Sequence, residues 1–164
     1  MKGKSITSQF RDACEAGNLK KVKNLLARSK KISVKYLNLM YALNLAVMDG
    51  YTNIAKILVD MGVNVNKADS YFGCRPLHTA CRRGYLKIAK ILVENGADID
   101  AIEKFSKLTP LHYTAGKQNT EITKLLLENG CKTDIRNKQN MNALEFAMNH
   151  GHIDIVKLFA FHNK

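Results

Sequence analysis

Cysteine is scarce in this chain: four residues, Cys14, Cys74, Cys81 and Cys131, with no C-x-x-C pair and no cluster with histidine. That excludes a disulfide-stapled miniprotein and a zinc ribbon. The thiols are expected to be free and mostly buried, as in a reducing compartment. Tryptophan is absent, and two prolines and ten glycines in 164 residues exclude a collagen-like chain. No apolar run reaches the roughly 18 residues that would cross a bilayer. The basic start, Met1-Lys2-Gly3-Lys4-Ser5, is followed by no apolar stretch, so no signal peptide is expected. Acidic residues are also few, 14 against 26 lysines and arginines, for a net charge of +12. Lysine outnumbers arginine 20 to 6 and there are 15 asparagines. Two accounts of the basicity stand side by side: an AT-rich coding bias, or attraction to an acidic partner.

What is there is an ordinary globular mixture, 46% hydrophobic and 24% charged, and a strong internal repeat. Asn53-Ile-Ala-Lys-Ile-Leu-Val-Asp-Met-Gly62 matches Lys87-Ile-Ala-Lys-Ile-Leu-Val-Glu-Asn-Gly96 and Glu121-Ile-Thr-Lys-Leu-Leu-Leu-Glu-Asn-Gly130, and Asp154-Ile-Val-Lys-Leu-Phe159 is a further copy. Upstream of each stands a small residue, usually with glycine four positions on: Ala13/Gly17, Ala46/Gly50, Ala80/Gly84, Thr114/Gln118 and Ala147/Gly151. The small residues are 33, 34, 34 and 33 positions apart. A period of this length is the signature of a solenoid.

Each copy reads as two short helices. Pro76 and Pro110 suit a first helical turn, where their missing N–H would have no partner anyway, and Thr109 suits the cap before it. Gly84 suits the left-handed end of the first helix. Leu86, Ile88, Ile91 and Leu92 follow a period near 3.6 and predict the second helix. Ala97-Asp98-Ile99-Asp100 then reads as an extended arm.

Arg75-Pro76-Leu77-His78, Thr109-Pro110-Leu111-His112 and Glu94-Asn95-Gly96-Ala97-Asp98-Ile99-Asp100 resemble the ankyrin repeat, over residues 5–161. The resemblance implies an all-α ankyrin-repeat solenoid, a single domain of five helix-turn-helix repeats with β-hairpin fingers, at about 5–36, 37–69, 70–103, 104–136 and 137–164. Several departures are visible. Thr114 and Gln118 replace alanine and glycine in the fourth copy and are expected to distort the turn after its first helix. Asn142-Ala143-Leu144-Glu145 replaces the Pro-Leu-His signature in the fifth. The fingers leading into copies three and four carry one extra residue each, and residues 28–38 lack the Gly-Ala-Asp hairpin signature.

In copies two to five, two second-helix positions are always apolar: Ile54/Ile57, Ile88/Ile91, Ile122/Leu125 and Ile155/Leu158. In copy one they are Lys21 and Asn24, as a polar terminal cap requires. At the other end Met148, Val156, Phe159 and Phe161 are apolar. They either bury against their own repeat or offer a surface for self-association, a monomer being expected.

No catalytic constellation stands out. His78 and His112 recur at one repeat position and are expected to bond backbone between neighbouring copies. His150, His152 and His162 have no acidic or cysteine co-ligand at metal spacing. No nucleophile elbow or phosphate-binding Gly-Lys-Ser/Thr loop is present. Residues 58–66 loosely resemble the ankyrin motif hydroxylated on asparagine, which would make Asn66 an acceptor and the chain a substrate. No enzyme activity, cofactor or metal is expected.

In ankyrin-like units the binding surface is built from finger tips and first-helix ends. The tips contribute Tyr71, Phe72 and Cys74, then Phe105, Ser106 and Leu108, then Lys138, Gln139 and Met141. The helix ends contribute Met48 and Asp49, Arg82 and Arg83, Gly116 and Lys117, and Asn149 and His150. Aromatic tips are unusual, since turns favour glycine, asparagine, aspartate and serine. Tyr71, Phe72 and Phe105 beside arginine have the composition of a binding hot spot; the alternative is local packing between fingers. Arg82, Arg83 and Lys117 suit an acidic or phosphorylated partner segment. Lys23, Lys56, Lys90, Lys124 and Lys157 share one second-helix position and form a basic column, either a solvated face or an attraction to anionic surfaces.

The resemblance thus implies a non-catalytic module whose concave face binds a partner protein, masking a transcription factor or other host protein. Small ankyrin proteins include such inhibitors, kinase inhibitors and host-directed effectors. An IκB-like inhibitor from an AT-rich viral, symbiont or parasite source is the leading specific expectation. An intracellular location is expected, in the cytoplasm or nucleus, of a host cell if the chain is an effector. The rival class is a binder of nucleic acid or anionic surfaces through the basic faces; nucleic acid and membrane are the less expected partners.

Overall fold

Short capped helices, each too short to persist alone, build the molecule. The computed structural model describes residues 5–29 and 39–162. Among these are ten α-helices and no strand: α1 (Ile6–Glu15), α2 (Leu19–Ser29), α3 (Leu39–Met48), α4 (Thr52–Asp60), α5 (Pro76–Arg83), α6 (Leu86–Glu94), α7 (Pro110–Gly116), α8 (Thr120–Glu128), α9 (Ala143–Asn149) and α10 (Ile153–His162). The finger read over residues 28–38 falls outside the described residues from position 30 on. No described helix is long and apolar enough to cross a membrane.

Helix starts follow the expected chemistry. Pro76 and Pro110 open α5 and α7, and Ser5 and Asn142 accept the Ser8 and Glu145 amides at 3.2 and 2.9 Å. Gly84 ends α5 at φ +77°, in the left-handed region, where a Cβ would come to 3.1 Å from the Asn119 side chain.

Contacts group the chain into two compact units, Met1–Asn64 and Val65–Lys164. In the first, α1 packs on α3 and α2 on α4. Phe10, Val22, Leu43, Ile54 and Leu58 are buried between the layers. Lys21 and Asn24 are exposed, as the capping argument requires. In the second unit α5, α7 and α9 form one layer and α6, α8 and α10 the other. Leu77, Ile88, Leu92, Leu111, Ile122, Leu126, Ile155 and Phe159 fill the space between. At about 25 cal/mol per Å² of apolar surface removed from water, this stacking supplies what no single repeat can.

Two histidines stitch the second unit together as expected. His78 Nδ1 accepts the Arg75 amide at 3.0 Å, and its Nε2 lies 2.9 Å from the Ala101 carbonyl. His112 repeats the pattern on the Thr109 amide and the Met141 carbonyl, at 3.3 and 3.0 Å. Each ring must donate from Nε2 and accept at Nδ1, so each is neutral. Burial holds both below the ordinary histidine value. In the fifth copy Glu145 takes the place of histidine. Its carboxylate accepts the Asn142 amide at 2.9 Å and pairs with Arg136. The Asn142 amide first, and Arg136 after it, hold this carboxyl below the usual range.

One expectation fails. Thr114 and Gln118 do not distort the turn after α7. The Asn119 amide bonds the Thr114 carbonyl at 3.0 Å, as Tyr85 bonds Ala80 and His152 bonds Ala147 in the copies on either side. Gln118 itself adopts the left-handed conformation, φ +56°. The buried Thr114 hydroxyl donates to Leu111 and accepts from Thr123.

The apolar C-terminal residues divide. Phe159 is buried and Val156 half-buried, whereas Met148 and Phe161 are exposed. The four cysteines are free, three of them buried. Burial pushes the Cys14 and Cys131 thiols up to about 11 and about 12, with Glu15 and Asp100 adding to it.

Candidate functional site: a basic, aromatic face on the second unit

The fingers are turns closed by one backbone bond each: Asp69 to Cys74 at 2.8 Å, Glu103 to Leu108 at 3.0 Å and Asn137 to Met141 at 2.9 Å. The first two span one residue more than the third, the extra residue seen in the sequence. Each has a left-handed residue just before its end, Gly73, Lys107 or Asn140. The first residue of each finger shapes it. The Asp69 carboxylate accepts the amides of Tyr71, Phe72 and Cys74 at 2.6–3.0 Å. Glu103 accepts those of Phe105, Ser106 and Leu108 at 2.6–3.2 Å. The Asn137 carboxamide oxygen accepts those of Gln139 and Met141 at 2.9 and 3.1 Å. Neighbouring fingers are tied by Lys104 donating to the Phe72 carbonyl and Lys138 to that of Ser106, at 3.0 and 2.8 Å.

This scaffold presents the aromatic tips together. Tyr71 meets Phe72 edge-on at 4.7 Å between ring centroids, and Phe105 lies 6.0 and 5.9 Å from the two. The rings pack on one another and still remain 69%, 54% and 48% exposed. Local packing thus fixes the cluster, and the cluster faces solvent. Lys104 Nζ lies 5.7 Å from the Phe105 ring, within cation–π range.

Behind the tips stand half-buried Tyr113 and Phe146, whose rings meet His78 and His112 edge-on at 5.9 Å. Burial pushes the Tyr113 phenol and the Cys74 thiol up, with the Arg82 cation acting against it in both. Arg83 and Lys117 end α5 and cap α7, and Asn149 and His150 end and cap α9. The His150 ring meets that of Phe146 at a tilt of 48° with centroids 4.5 Å apart and lies 5.8 Å from His152, whose Nδ1 is 2.6 Å from the Ala115 carbonyl. Met48 and Asp49 are exposed at the end of α3, in the first unit. A cavity of about 420 Å³ in that unit, lined by Ser5, Arg11 and Tyr41 among others, includes neither. No group of three metal-ligating side chains occurs among the described residues. Asn66 uses its amide to bracket Gly96 and Asp98, at 2.8 and 2.7 Å.

Charge is unevenly placed. In the finger and first-helix segments 69–84, 103–118 and 137–151 the acids are Asp69, Glu103 and Glu145. All three carboxylates are occupied as described. Arg75 and Arg136 are paired with Asp98 and Glu145. Arg82, Arg83, Lys104, Lys107, Lys117 and Lys138 are exposed and form no ion pair among the described residues. The lysine column on the second helices differs. It is exposed throughout, yet Lys56, Lys124 and Lys157 each face an acid of their own helix, Asp60, Glu128 and Asp154, at 3.1, 3.8 and 3.9 Å.

The acceptors at the finger starts, and Tyr113 and Phe146 behind them, were not read as functional from sequence. The signal was available: Asp69, Glu103 and Asn137 are 34 residues apart.

The model of ankyrin repeats (3 copies) matches residues 10–103 and 101–164. The chain belongs to the ankyrin-repeat family. Ankyrin repeats are generally protein–protein interaction modules without catalysis, and the stacked helix pairs are the ankyrin-repeat solenoid architecture. No curated protein matches the chain significantly.

Proposed function

We propose that the finger and first-helix face of the second unit binds an acidic segment of a partner protein. Tyr71, Phe72 and Phe105 form the apolar contact, and Arg82, Arg83, Lys117 and Lys138 meet carboxylates or phosphates. One observation carries this reading. On the fingers and first helices of this unit six exposed cations form no ion pair among the described residues, an exposed three-ring cluster stands on two of the same fingers, and every acid of these segments is already engaged. Desolvating a ring cluster beside arginine is the composition of a hot spot, and charge-assisted bonds set orientation. The protein acts by occupancy: it masks the bound segment from other partners, as an inhibitor of a transcription factor or other host protein would, and performs no chemistry. Four free thiols suit the reducing interior of a cell, in cytoplasm or nucleus.

The test is titration of fluorescent acidic peptides, with and without a phosphoserine, into the wild type and the Arg82→Glu/Arg83→Glu variant. Affinity is expected to fall more than tenfold with the melting temperature unchanged, since both side chains are solvated. Equal affinity of the two proteins would remove the reading.

A further inference from the structure

Next to the ring cluster lies a cavity of about 300 Å³, lined by Ser106, Leu108, Asn137, Lys138, Gln139 and Phe146. Its buried polar groups are already satisfied. Asn137, 6% exposed, holds two amides of its own finger, and the Ser106 carbonyl accepts the Lys138 amide. What remains to be covered is the apolar surface of Leu108 and Phe146, both half-buried, and the exposed Lys138 at the rim. No acidic residue lines it. A volume at the lower end of the range for small-molecule sites, with no converging set of free polar groups, suits one side chain better than a cofactor.

We infer that this cavity receives one apolar side chain, leucine or phenylalanine, from the acidic segment of a partner protein, with Lys138 against a neighbouring carboxylate. The inference rests on the function proposed above and adds a requirement to it: charge alone does not define the partner. The geometry also sets a spacing. The ring cluster bridges fingers 69–74 and 103–108, and the cavity lies between fingers 103–108 and 137–141, one repeat further on. Packed helices are about 8–10 Å apart, and a peptide in the polyproline II conformation rises about 3.1 Å per residue with every third side chain on the same side. The partner segment therefore carries two apolar residues about three positions apart, flanked by aspartate or glutamate.

The experiment uses the full chain and short fluorescein-labelled peptides of equal negative charge. All carry phenylalanine at the first anchor, and leucine, phenylalanine or serine three residues later. Leucine or phenylalanine is expected to bind about tenfold more tightly than serine. Gln139→Trp, which places a ring over the cavity from an exposed position, is expected to shrink that preference to less than about twofold. Ser106→Phe fills the cavity from its other side and serves as the second variant should Gln139→Trp lower the melting temperature. If the peptides bind with equal affinity, this inference is overturned and the charge-based function stands. If no acidic peptide binds, or if a single-stranded oligonucleotide of equal charge binds in their place, both fall.

Discussion

At Gln118 a residue with a side chain occupies a backbone conformation that glycine holds in the neighbouring copies, at Gly84 and Gly151. The left-handed region costs an ordinary L-residue about 1 kcal/mol or more. Its side chain offers little in return, one exposed contact to Asp154 at 3.5 Å. Gln118→Gly is expected to stabilise the protein by about 0.5–1 kcal/mol, read from urea denaturation; a loss of stability would show the strain argument to be wrong. The histidines give the second prediction at this scale. His78 and His112 are held below their ordinary value of about 6.5 by burial, so the unfolded chain takes up their protons first as pH falls. Their contribution is complete above about pH 6.5 and declines as pH drops through and below it. The melting temperature is expected to fall between pH 7.5 and 5. The His78→Gln/His112→Gln variant, less stable at the start, is expected to show a shallower fall.

The finger is the smallest element with a function of its own, and one side chain holds each. Glu103 is 3% exposed and accepts three amides, so its charge is met by backbone rather than by a cation. Removing it leaves three N–H groups of the fingertip without their acceptor. Glu103→Ala is expected to cost about 3 kcal/mol, with faster hydrogen exchange at Phe105, Ser106 and Leu108. Phe105→Ala, at a half-exposed ring, is expected to cost about 1 kcal/mol or less. Similar costs for the two would mean that the ring cluster, and not the carboxylate, shapes the tip. Substitution at Phe105 is thus the cleaner probe of binding, and substitution at Glu103 the cleaner probe of the scaffold.

Over the whole molecule the net charge of +12 is less informative than where its counter-ions lie. Exposed pairs such as Lys124–Glu128 contribute little to stability, but they set an acid beside Lys56, Lys124 and Lys157, three of the five lysines of the column. On the first helices and fingers of the second unit, Arg82, Arg83, Lys104, Lys107, Lys117 and Lys138 have no such partner among the described residues. Lys90→Gln/Lys124→Gln is therefore expected to leave the affinity for an acidic peptide within about twofold. Arg82→Glu/Arg83→Glu should abolish most of its dependence on salt, which reflects charges brought into contact. If the lysine column proved the more sensitive, the binding face would have been placed on the wrong layer.

The 33–34-residue period, the paired prolines and histidines and the apolar second-helix positions determined the fold, because stacking demands the same residue type at the same place in every copy. The extra finger residues and the aromatic tips were legible for the same reason, as breaks in a pattern. Other features belonged to the tertiary structure alone. Gln118 adopts the glycine conformation, and Glu145 standing in for histidine through Arg136, the joining of Tyr71, Phe72 and Phe105 into one exposed cluster, and the cavity over Leu108 and Phe146 depend on neighbours 9 to 38 residues away. So does the division of lysines and arginines into answered and unanswered charges: composition counts them, but only packing decides which carboxylates remain free to meet them.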